Sequence, residues 1–202
     1  MAPSKTQVTS LDVLDELGPE TVSSQPSAAL GQDRQAMLDE RDRIFGDWLA
    51  GHKGILFKVV RAYAFVHADR QDLFQEVAIQ VWRSVDAYRG DSSVPTWMYR
   101  IALNAAISWT RKQDRHQRGK QPLEIVDGHL AESTEADPRV EWLYRQIAQL
   151  KEADRSVALL MLDGFAYKDI AAIAGISESN VGVKINRIKA ALTAQLAKET
   201  EL

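Results

Sequence analysis

Residues 69–112 constrain the fold most strongly, because they contain two helical patterns separated only by the short turn Gly-Asp-Ser-Ser. In the first pattern apolar residues recur every four positions and form one wide apolar face along a helix. The apolar positions are Leu73, Val77, Val81 and Val85, with Phe74, Ala78 and Trp82 beside them. Such a face has to be buried against other helices, so this stretch is predicted to lie at the centre of a helical domain.

The second pattern begins at Ser93, whose side chain is suited to cap a helix, and has Pro95 near the first helical position. Its predicted core side consists of Val94, Trp97, Ile101 and Ala105. A different side of the same helix carries a polar line made of Arg100, Asn104, Ser108 and Arg111. From the spacing alone, this line is either a solvated helix face or a binding surface, and the choice stays open at this point.

The rest of the chain also follows helical spacing, without the alternation that is typical of strands. We predict helices from Arg34 to Gly51 and over residues 55–63, which with the two patterns above make a four-helix domain over residues 34–112. Residues 1–33 are rich in Ser, Thr, Pro and acidic residues, so we predict a disordered extension there. The predicted fold class is all-α.

Residues 113–136 begin basic, contain Gly and Pro, and end acidic, without a sustained hydrophobic period. This segment is longer than the usual connections within one compact domain, so we predict a flexible linker. A second small helical domain is predicted over residues 137–202. It starts with Asp137 as a cap and Pro138 at the first helical position.

Within the second domain, a short helix from Tyr167, a tight turn at Gly175 and a longer helix follow one another. Ala171 is small, Gly175 follows four residues later, and Val181 falls ten after Ala171, which is the spacing of a helix-turn-helix. The longer helix is capped by Ser177 and is expected to turn polar and basic side chains outward. These outward residues are Ser179, Asn180, Lys184 and Arg187. An ordinary helical hairpin also fits the spacing, and it is the basic outer face that favours contact with a DNA groove.

The distribution of charge is more informative than the formal net charge of -3, which argues against nucleic-acid binding through bulk charge alone. Residues 100–120 hold six basic residues and one acidic residue, and residues 184–198 hold four basic residues and no acidic one. No apolar run is long enough to span a membrane and the N-terminus does not resemble a signal peptide, so we expect no membrane insertion and a cytoplasmic protein.

Several kinds of catalytic site are excluded by residue type and spacing. The chain has no cysteine, which excludes disulfides, thiol catalysis and cysteine zinc sites. There is no Gly-rich phosphate loop, and no nucleophile has a base beside it in sequence. The histidines also lack metal-ligand spacing; they are His52, His67, His116 and His129. We therefore predict no catalytic residue, no metal, no cofactor and no enzymatic activity.

Two stretches resemble the bacterial extracytoplasmic-function (ECF, group IV) sigma factors of RNA polymerase. The segment DLFQEVAIQVWRSVDAYRGDSSVPTWMYRIALNAA is similar to their region 2 pattern, D-L-x-Q-E followed by F-R-G-D-S-S-x-x-T-W-L-Y-R-I-A-x-N. The segment DGFAYKDIAAIAGISESNVGVKINRIKAAL is similar to their region 4. Both occur in the family's order with a linker between them. The resemblance implies a subunit that binds core RNA polymerase and directs it to particular promoters.

The resemblance also assigns roles to residues. The D-L-x-Q-E helix would bind core polymerase through Asp72, Leu73, Gln75, Glu76, Ile79 and Arg83. The following turn and helix would melt the -10 promoter element and capture an extruded base through Asp91, Ser92, Ser93, Thr96, Arg100, Asn104, Ser108, Arg111 and Lys112. The helix-turn-helix would read the -35 element through Ser177, Ser179, Asn180, Lys184 and Arg187. An anti-sigma protein is a further partner that the resemblance implies.

The chain departs from the family pattern at three positions. Gly182 stands where an Arg is common and Val183 where a Ser is common, which removes a usual phosphate or base contact. We therefore expect the -35 sequence that is read to be unusual. Lys151 stands where the family generally has Pro, so the start of the adjacent helix is expected to shift.

Two other functions compete with the resemblance. A stand-alone helix-turn-helix regulator would bind duplex DNA tightly without polymerase, whereas a sigma factor of this type needs the core enzyme to bind promoter DNA well. An all-helical protein-interaction module would have no use for a basic outer face beyond solubility.

Overall fold

The computed structural model describes the backbone of residues 26–117 and 137–200 and the side chains of residues 32–115 and 137–199. These residues form α-helices and one short 3-10 turn (Val85–Ala87), with no strand among them, so the predicted all-α fold is confirmed. The helices are α1 (Pro26–Tyr63), α2 (His67–Ser84), α3 (Val94–Gln117), α4 (Pro138–Gln149), α5 (Glu152–Leu162), α6 (Tyr167–Ala174) and α7 (Glu178–Thr200).

Helix α1 joins the two helices that the sequence predicts on either side of Gly51. The backbone at His52 leaves helical geometry, with φ -137° and ψ 16°, so the predicted break is present as a kink within one long helix. Helix α1 also starts at Pro26, inside the predicted disordered extension, while residues 1–25 lie outside the described residues.

The other predicted boundaries differ from the structure by a few residues. Helix α3 continues to Gln117, past the predicted end of the first domain, and the rest of the predicted linker lies outside the described residues. Helix α5 begins at Glu152, with Lys151 in the capping position in an extended conformation that Pro also adopts. Helix α5 thus starts directly after the position at which the family generally has Pro.

Contacts divide the chain into two compact units, residues 1–38 and residues 39–202. The described part of the first unit is the helical segment over residues 26–38. The second unit contains the rest of α1 and helices α2 to α7, and so includes helices from both predicted domains.

The buried side of helix α3 agrees only in part with the predicted one. The fully covered side chains are Met98, Tyr99, Ala102 and Ala106, each 0% exposed. Of the predicted core residues, Ala105 is buried, whereas Val94, Trp97 and Ile101 are only partly buried. The reason is that α3 packs against α2 and also against α6. A helix between two neighbours buries a wider arc than amphipathic spacing for a single contact predicts.

Polar contacts accompany this packing between the two predicted domains. Lys58 Nζ on α1 lies 2.5 Å from Asp163 Oδ1, just after α5, and Arg61 on α1 forms a 2.5 Å ion pair with Glu141 on α4. The buried Tyr63 hydroxyl lies 2.7 Å from Ser156 Oγ on α5. Helix α1 is thus joined to α4, α5 and the turn that follows α5.

Candidate polymerase and nucleic-acid interfaces

The outer face of α2 brings together most of the residues predicted to bind polymerase. Asp72, Gln75 and Arg83 are exposed, and Ile79 between them is 44% exposed. Glu76 is half-buried and accepts a 2.8 Å hydrogen bond from Gln80 Nε2. The face combines acidic and amide groups with one exposed aliphatic side chain, a composition suited to a partner that offers basic, polar and apolar groups.

Leu73 is the exception in this set. Its side chain is 0% exposed and lies in the apolar core with Val77 and Val81. A side chain in that position holds α2 against its neighbours and thereby orients the outer face. A direct contact between Leu73 and a partner does not fit this placement.

The turn before α3 is supported by a cluster of aromatic rings. Trp48 and Trp97 both pack edge-on against Tyr88, with ring centroids 5.1 Å and 5.6 Å away. The Tyr88 hydroxyl donates a 2.6 Å hydrogen bond to the carbonyl of Ser92, and Trp97 Nε1 donates a 3.0 Å hydrogen bond to Ser84 Oγ. These contacts fix the backbone of the turn before any ligand binds.

Four of the residues predicted to bind the -10 element lie together at this turn. Asp91 and Ser93 are exposed, and Ser92 and Thr96 are half-buried. Ser93 Oγ accepts a 3.3 Å hydrogen bond from the Thr96 backbone N–H and lies 2.8 Å from Thr96 Oγ1, so the predicted cap is present. Gly90 has a φ of +79°, a left-handed conformation that admits glycine without strain.

Two residues of the polar line along α3, Asn104 and Ser108, border a groove of about 490 Å³ between α2 and α3. Asn104, Ser108 and Lys112 line its α3 side, and Glu76 and Gln80 line its α2 side. The groove therefore brings predicted -10 residues next to a predicted polymerase-binding residue.

Arg100 and Arg111 lie apart from this groove and contact other groups. The Arg100 guanidinium stacks 4.4 Å from the centre of the Trp97 ring. Arg111 NH2 forms a 2.6 Å ion pair with Glu152 on α5, although the Arg111 side chain remains 67% exposed. A residue predicted to bind the melted strand is thus paired with a carboxylate from the second predicted domain.

The helix-turn-helix is formed by α6 and α7 as the sequence predicts. Gly175 ends α6 with φ +67°, a left-handed conformation, and its N–H bonds to the Ala171 carbonyl. Ser177 Oγ then accepts a 3.3 Å hydrogen bond from the Asn180 N–H at the start of α7. Val181, Ile185 and Ile188 are 0–1% exposed and hold α7 against α5 and α6.

The predicted -35 residues are divided between the outside of α7 and an ion-pair cluster. Ser177, Ser179 and Asn180 are exposed. Lys184 Nζ lies 2.7 Å from Asp154 Oδ1, and its side chain is only 16% exposed, so it does not face outward as expected. Arg187 also bonds Asp154, at 2.6 Å, but remains 62% exposed and able to contact a ligand.

Asp154 of α5 is the carboxylate at the centre of this cluster. Burial acts to raise the pKa of its carboxyl, but the hydrogen bonds and positive charges of Lys184 and Arg187 outweigh burial and hold the pKa below its usual value. Asp154 therefore stays ionised and anchors two cations of α7.

Three residues in these surfaces were not identified from the sequence. Gln80 and Trp109 line the groove between α2 and α3, and Asn186 is exposed on α7. Asn186 precedes Arg187 on α7, and a helical projection of the sequence places it on the outer face. This signal in the sequence could have identified Asn186. In the sequence, Trp109 looks like an ordinary core residue. Its position in the groove depends on how α2 packs against α3, which the sequence does not show.

Two kinds of site are not found in the part of the chain that the structure describes. No group of three or more His, Asp or Glu residues there could hold a metal ion. Within the same residues, no helix is both long and apolar enough to cross a membrane.

Comparison with protein-family models gives two matches. Residues 49–116 match Sigma-70 region 2, and residues 140–192 match Sigma-70 region 4. The chain is 32% identical over 141 residues to the ECF RNA polymerase sigma-E factor of Escherichia coli K12, a match that covers 61% of this chain and 72% of that protein. It is also 28% identical over 148 residues to the ECF RNA polymerase sigma factor EcfG of Rhodopseudomonas palustris TIE-1, covering 68% of this chain and 78% of that protein.

Solved structures share the fold. The sigma factor RpoE of Bartonella quintana, in complex with the anti-sigma factor NepR, matches with a TM-score of 0.65 and 23% identity over 77% of this chain and 98% of that chain. CnrH in complex with the cytosolic domain of CnrY matches with a TM-score of 0.57 and 22% identity over 78% of this chain and 90% of that chain.

Proposed function

Since this chain belongs to the ECF sigma factors of RNA polymerase, we propose that it binds the core enzyme through the outer face of α2 and directs it to promoters through α3 and α7. The turn before α3 and the polar line of α3 capture and hold the melted -10 strand. The outer face of α7 reads the -35 duplex. This role requires no catalysis by the chain, and promoter DNA as its target implies action in the cytoplasm.

The observation that carries the polymerase assignment is the exposed Ile79 at the centre of the polar face of α2. Asp72 and Gln75 flank it, and this face lies on a different helix from the α7 surface. A regulator that acts alone on duplex DNA needs only the helix-turn-helix. A second surface of mixed acidic and apolar character supports a protein partner in addition to DNA.

The -10 assignment rests on a turn that is rigid and a helix that is polar. An extruded base needs a preformed pocket, and a separated strand needs cations and hydrogen-bonding groups along its path. The turn is fixed by Tyr88 and Trp97, while Arg100, Asn104 and Lys112 are exposed on α3.

We also propose an anti-sigma protein as a partner. RpoE and CnrH share this fold, and each was solved in a complex. RpoE is bound to the anti-sigma factor NepR, and CnrH is bound to the cytosolic domain of CnrY. Such a protein would compete with polymerase for this chain. Pull-down of the full chain with core polymerase, with and without the candidate partner, tests this competition; simultaneous binding of both would contradict it.

Run-off transcription with purified chain and core polymerase tests the main proposal. We expect transcripts from a subset of a broad promoter library that core polymerase alone does not produce. The Ile79→Asp variant should lose both polymerase binding and transcription, whereas Met37→Asp, at a more exposed apolar residue of α1, should retain both. If no promoter gives more transcript than core polymerase alone produces, the proposal is wrong. Tight sequence-specific binding to duplex DNA without polymerase would favour a stand-alone regulator.

A further inference from the structure

Val183 lies at the centre of the outward face of α7. By helical spacing, its neighbours on that face are Ser179 and Asn180 one turn before it and Asn186 and Arg187 one turn after it. All four neighbours are exposed and polar, and Val183 itself is 63% exposed. One large aliphatic group therefore stands in the middle of a face that is otherwise built of hydrogen-bonding and cationic groups.

Neither packing nor helix formation explains a valine at this position. The core side of α7 is filled by Val181, Ile185 and Ile188, which are almost completely covered. Valine is a weaker helix former than Ala, Lys or Gln, because its branched side chain loses rotamer freedom in a helix. Single exposed apolar residues are common on protein surfaces. What distinguishes Val183 is its location among the residues expected to contact base edges.

The space beside Val183 also favours close approach to a groove. Gly182 has no side chain, and a Cβ there would lie 3.5 Å from Cε2 of Tyr167 on α6. A long side chain at this position would extend past that ring and along the face of α7. Gly182 is half-buried and adds no side chain beside Val183 that would hold the helix away from the base edges.

The major groove of DNA offers one apolar group on its base edges, the C5-methyl of thymine. On the premise that α7 reads the -35 element, as proposed above, we propose that Val183 contacts the C5-methyl group of a thymine and makes that thymine a determinant of promoter choice. The polar neighbours supply the complementary hydrogen bonds, and Arg187 supplies a cation for the adjacent base or phosphate.

The test begins with the holoenzyme made from the full chain and core polymerase. Promoter duplexes with a randomised -35 region are selected for binding, and each thymine of the enriched sequence is then replaced singly by deoxyuridine. This replacement removes only the methyl group. For the wild-type chain we expect one thymine, or two adjacent ones, at which binding falls about fourfold, the effect of exposing one buried methyl group.

The variant Val183→Ser should lose this sensitivity, so that thymine and deoxyuridine duplexes bind equally at that position. Val140→Ser is the matched control, because Val140 is also exposed, at 39%, but lies on α4. It should keep the wild-type fourfold difference. Thermal unfolding of both variants checks that they remain folded.

The outcomes separate this inference from the function on which it rests. Failure to enrich any -35 sequence would overturn both the assignment of α7 to promoter reading and the role of Val183. Enrichment of a sequence whose thymines tolerate loss of the methyl group would overturn the inference alone. So would a Val183→Ser holoenzyme that still discriminates thymine from deoxyuridine as the wild type does.

Discussion

Asp154 determines how two cations of α7 are arranged. Its carboxylate lies 2.7 Å from Lys184 Nζ and 2.6 Å from Arg187 NH2, and the residue is 7% exposed. The Lys184 side chain is only 16% exposed beside Asp154, whereas the Arg187 side chain is 62% exposed and its guanidinium has further donors for a base or a phosphate. At the scale of single residues, Lys184 therefore positions α7, and Arg187 is the cation better placed to contact DNA.

The variant Asp154→Asn tests this cluster through the pH dependence of stability. The pKa of Asp154 is lowered in the folded chain, so its ionised form stabilises the fold above the unfolded-state pKa of about 4, and this contribution is lost as pH falls through the folded pKa. We expect the variant to lower the free energy of unfolding by about 1–2 kcal/mol at neutral pH, measured by urea unfolding. The loss is no larger because Arg187 is well exposed and its charge is screened. The difference from wild type should shrink below pH about 4.

The control for this prediction is Asp47→Asn. Asp47 pairs with Arg43 at 3.1 Å, but its side chain is 69% exposed, so its removal should change stability little. A difference between Asp154→Asn and wild type that is the same at every pH would show that the charge of Asp154 contributes nothing.

The turn between α2 and α3 is an element that is organised before it binds anything. The rings of Trp48, Tyr88 and Trp97 pack beside it. The Tyr88 hydroxyl donates a hydrogen bond to the Ser92 carbonyl, within the segment predicted to capture a base. A ligand-binding turn that is already rigid avoids an ordering cost when it binds. Stability of this element is thus expected to affect capture of a base more than initial contact with duplex DNA.

We predict that Tyr88→Phe slows open-complex formation roughly fivefold, because losing one hydrogen bond removes about 1 kcal/mol of support for the turn. Initial binding of the holoenzyme to duplex promoter should not change. Stopped-flow fluorescence with a 2-aminopurine in the -10 element measures the opening step. Tyr144→Phe, on α4, is the control and should open promoters at the wild-type rate. Equal losses in initial binding and opening would contradict a specific role of the turn.

At the scale of the whole molecule, Asp163 connects helices that the sequence assigns to different domains. It accepts hydrogen bonds from Lys58 on α1 and from the buried Tyr99 hydroxyl on α3, and its side chain is 17% exposed. Burial raises the pKa of Tyr99 most, and the hydrogen bond to Asp163 and the negative charge of Asp163 raise it further, so the hydroxyl stays protonated and able to donate. The Tyr99 ring also packs edge-on against Phe165, with centroids 5.2 Å apart.

A double-mutant cycle tests this connection. Asp163→Ala should destabilise the chain by about 2 kcal/mol in urea unfolding, because it leaves the buried Tyr99 hydroxyl without its acceptor. In the Tyr99→Phe background the same change should cost at least about 0.5 kcal/mol less. Asp86→Ala removes a more exposed carboxylate that pairs with Arg41, and it should combine additively with Tyr99→Phe. Additivity of the Asp163 and Tyr99 changes would refute the coupling.

The Arg111–Glu152 pair links this packing to the predicted binding of the melted strand. Glu152 forms an ion pair with Arg111, which is predicted to hold the melted strand. Glu152→Gln should therefore leave Arg111 available to a DNA phosphate. We expect up to about fivefold tighter binding of single-stranded -10 DNA by the free chain, the upper range for an exposed ion pair. Fluorescence anisotropy measures this, and the gain should diminish as salt is raised.

Glu40→Gln is the matched control, since Glu40 pairs with an exposed Arg43 on α1 at 2.6 Å. It should leave DNA binding unchanged. Unchanged or weaker binding by Glu152→Gln would contradict competition between Glu152 and DNA for Arg111.

The sequence predicted the elements well and their mutual packing less well. The helix-turn-helix, its cap at Ser177 and the turn at Gly175 depend on local backbone preferences, and all three are present. The predicted core positions Trp97 and Ile101 each lie one residue before the buried Met98 and Ala102. Helical spacing in the sequence shows one apolar face of α3, but it cannot show that α6 covers another. The outward direction of Lys184 was wrong for a related reason, since Asp154 is thirty residues away in sequence.

The sequence by itself determined the all-α class and the family, and it predicted binding surfaces on α2 and α7, because these follow from periodicity, capping residues and short motifs within single elements. Only the tertiary structure decided which cations remain available to DNA. Asp154 covers Lys184, Glu152 pairs with Arg111, and Val183 is left at the centre of the outer face of α7. The physical reason is that a side chain's availability depends on the charges and rings that long-range packing brings beside it, and one element's sequence does not contain them.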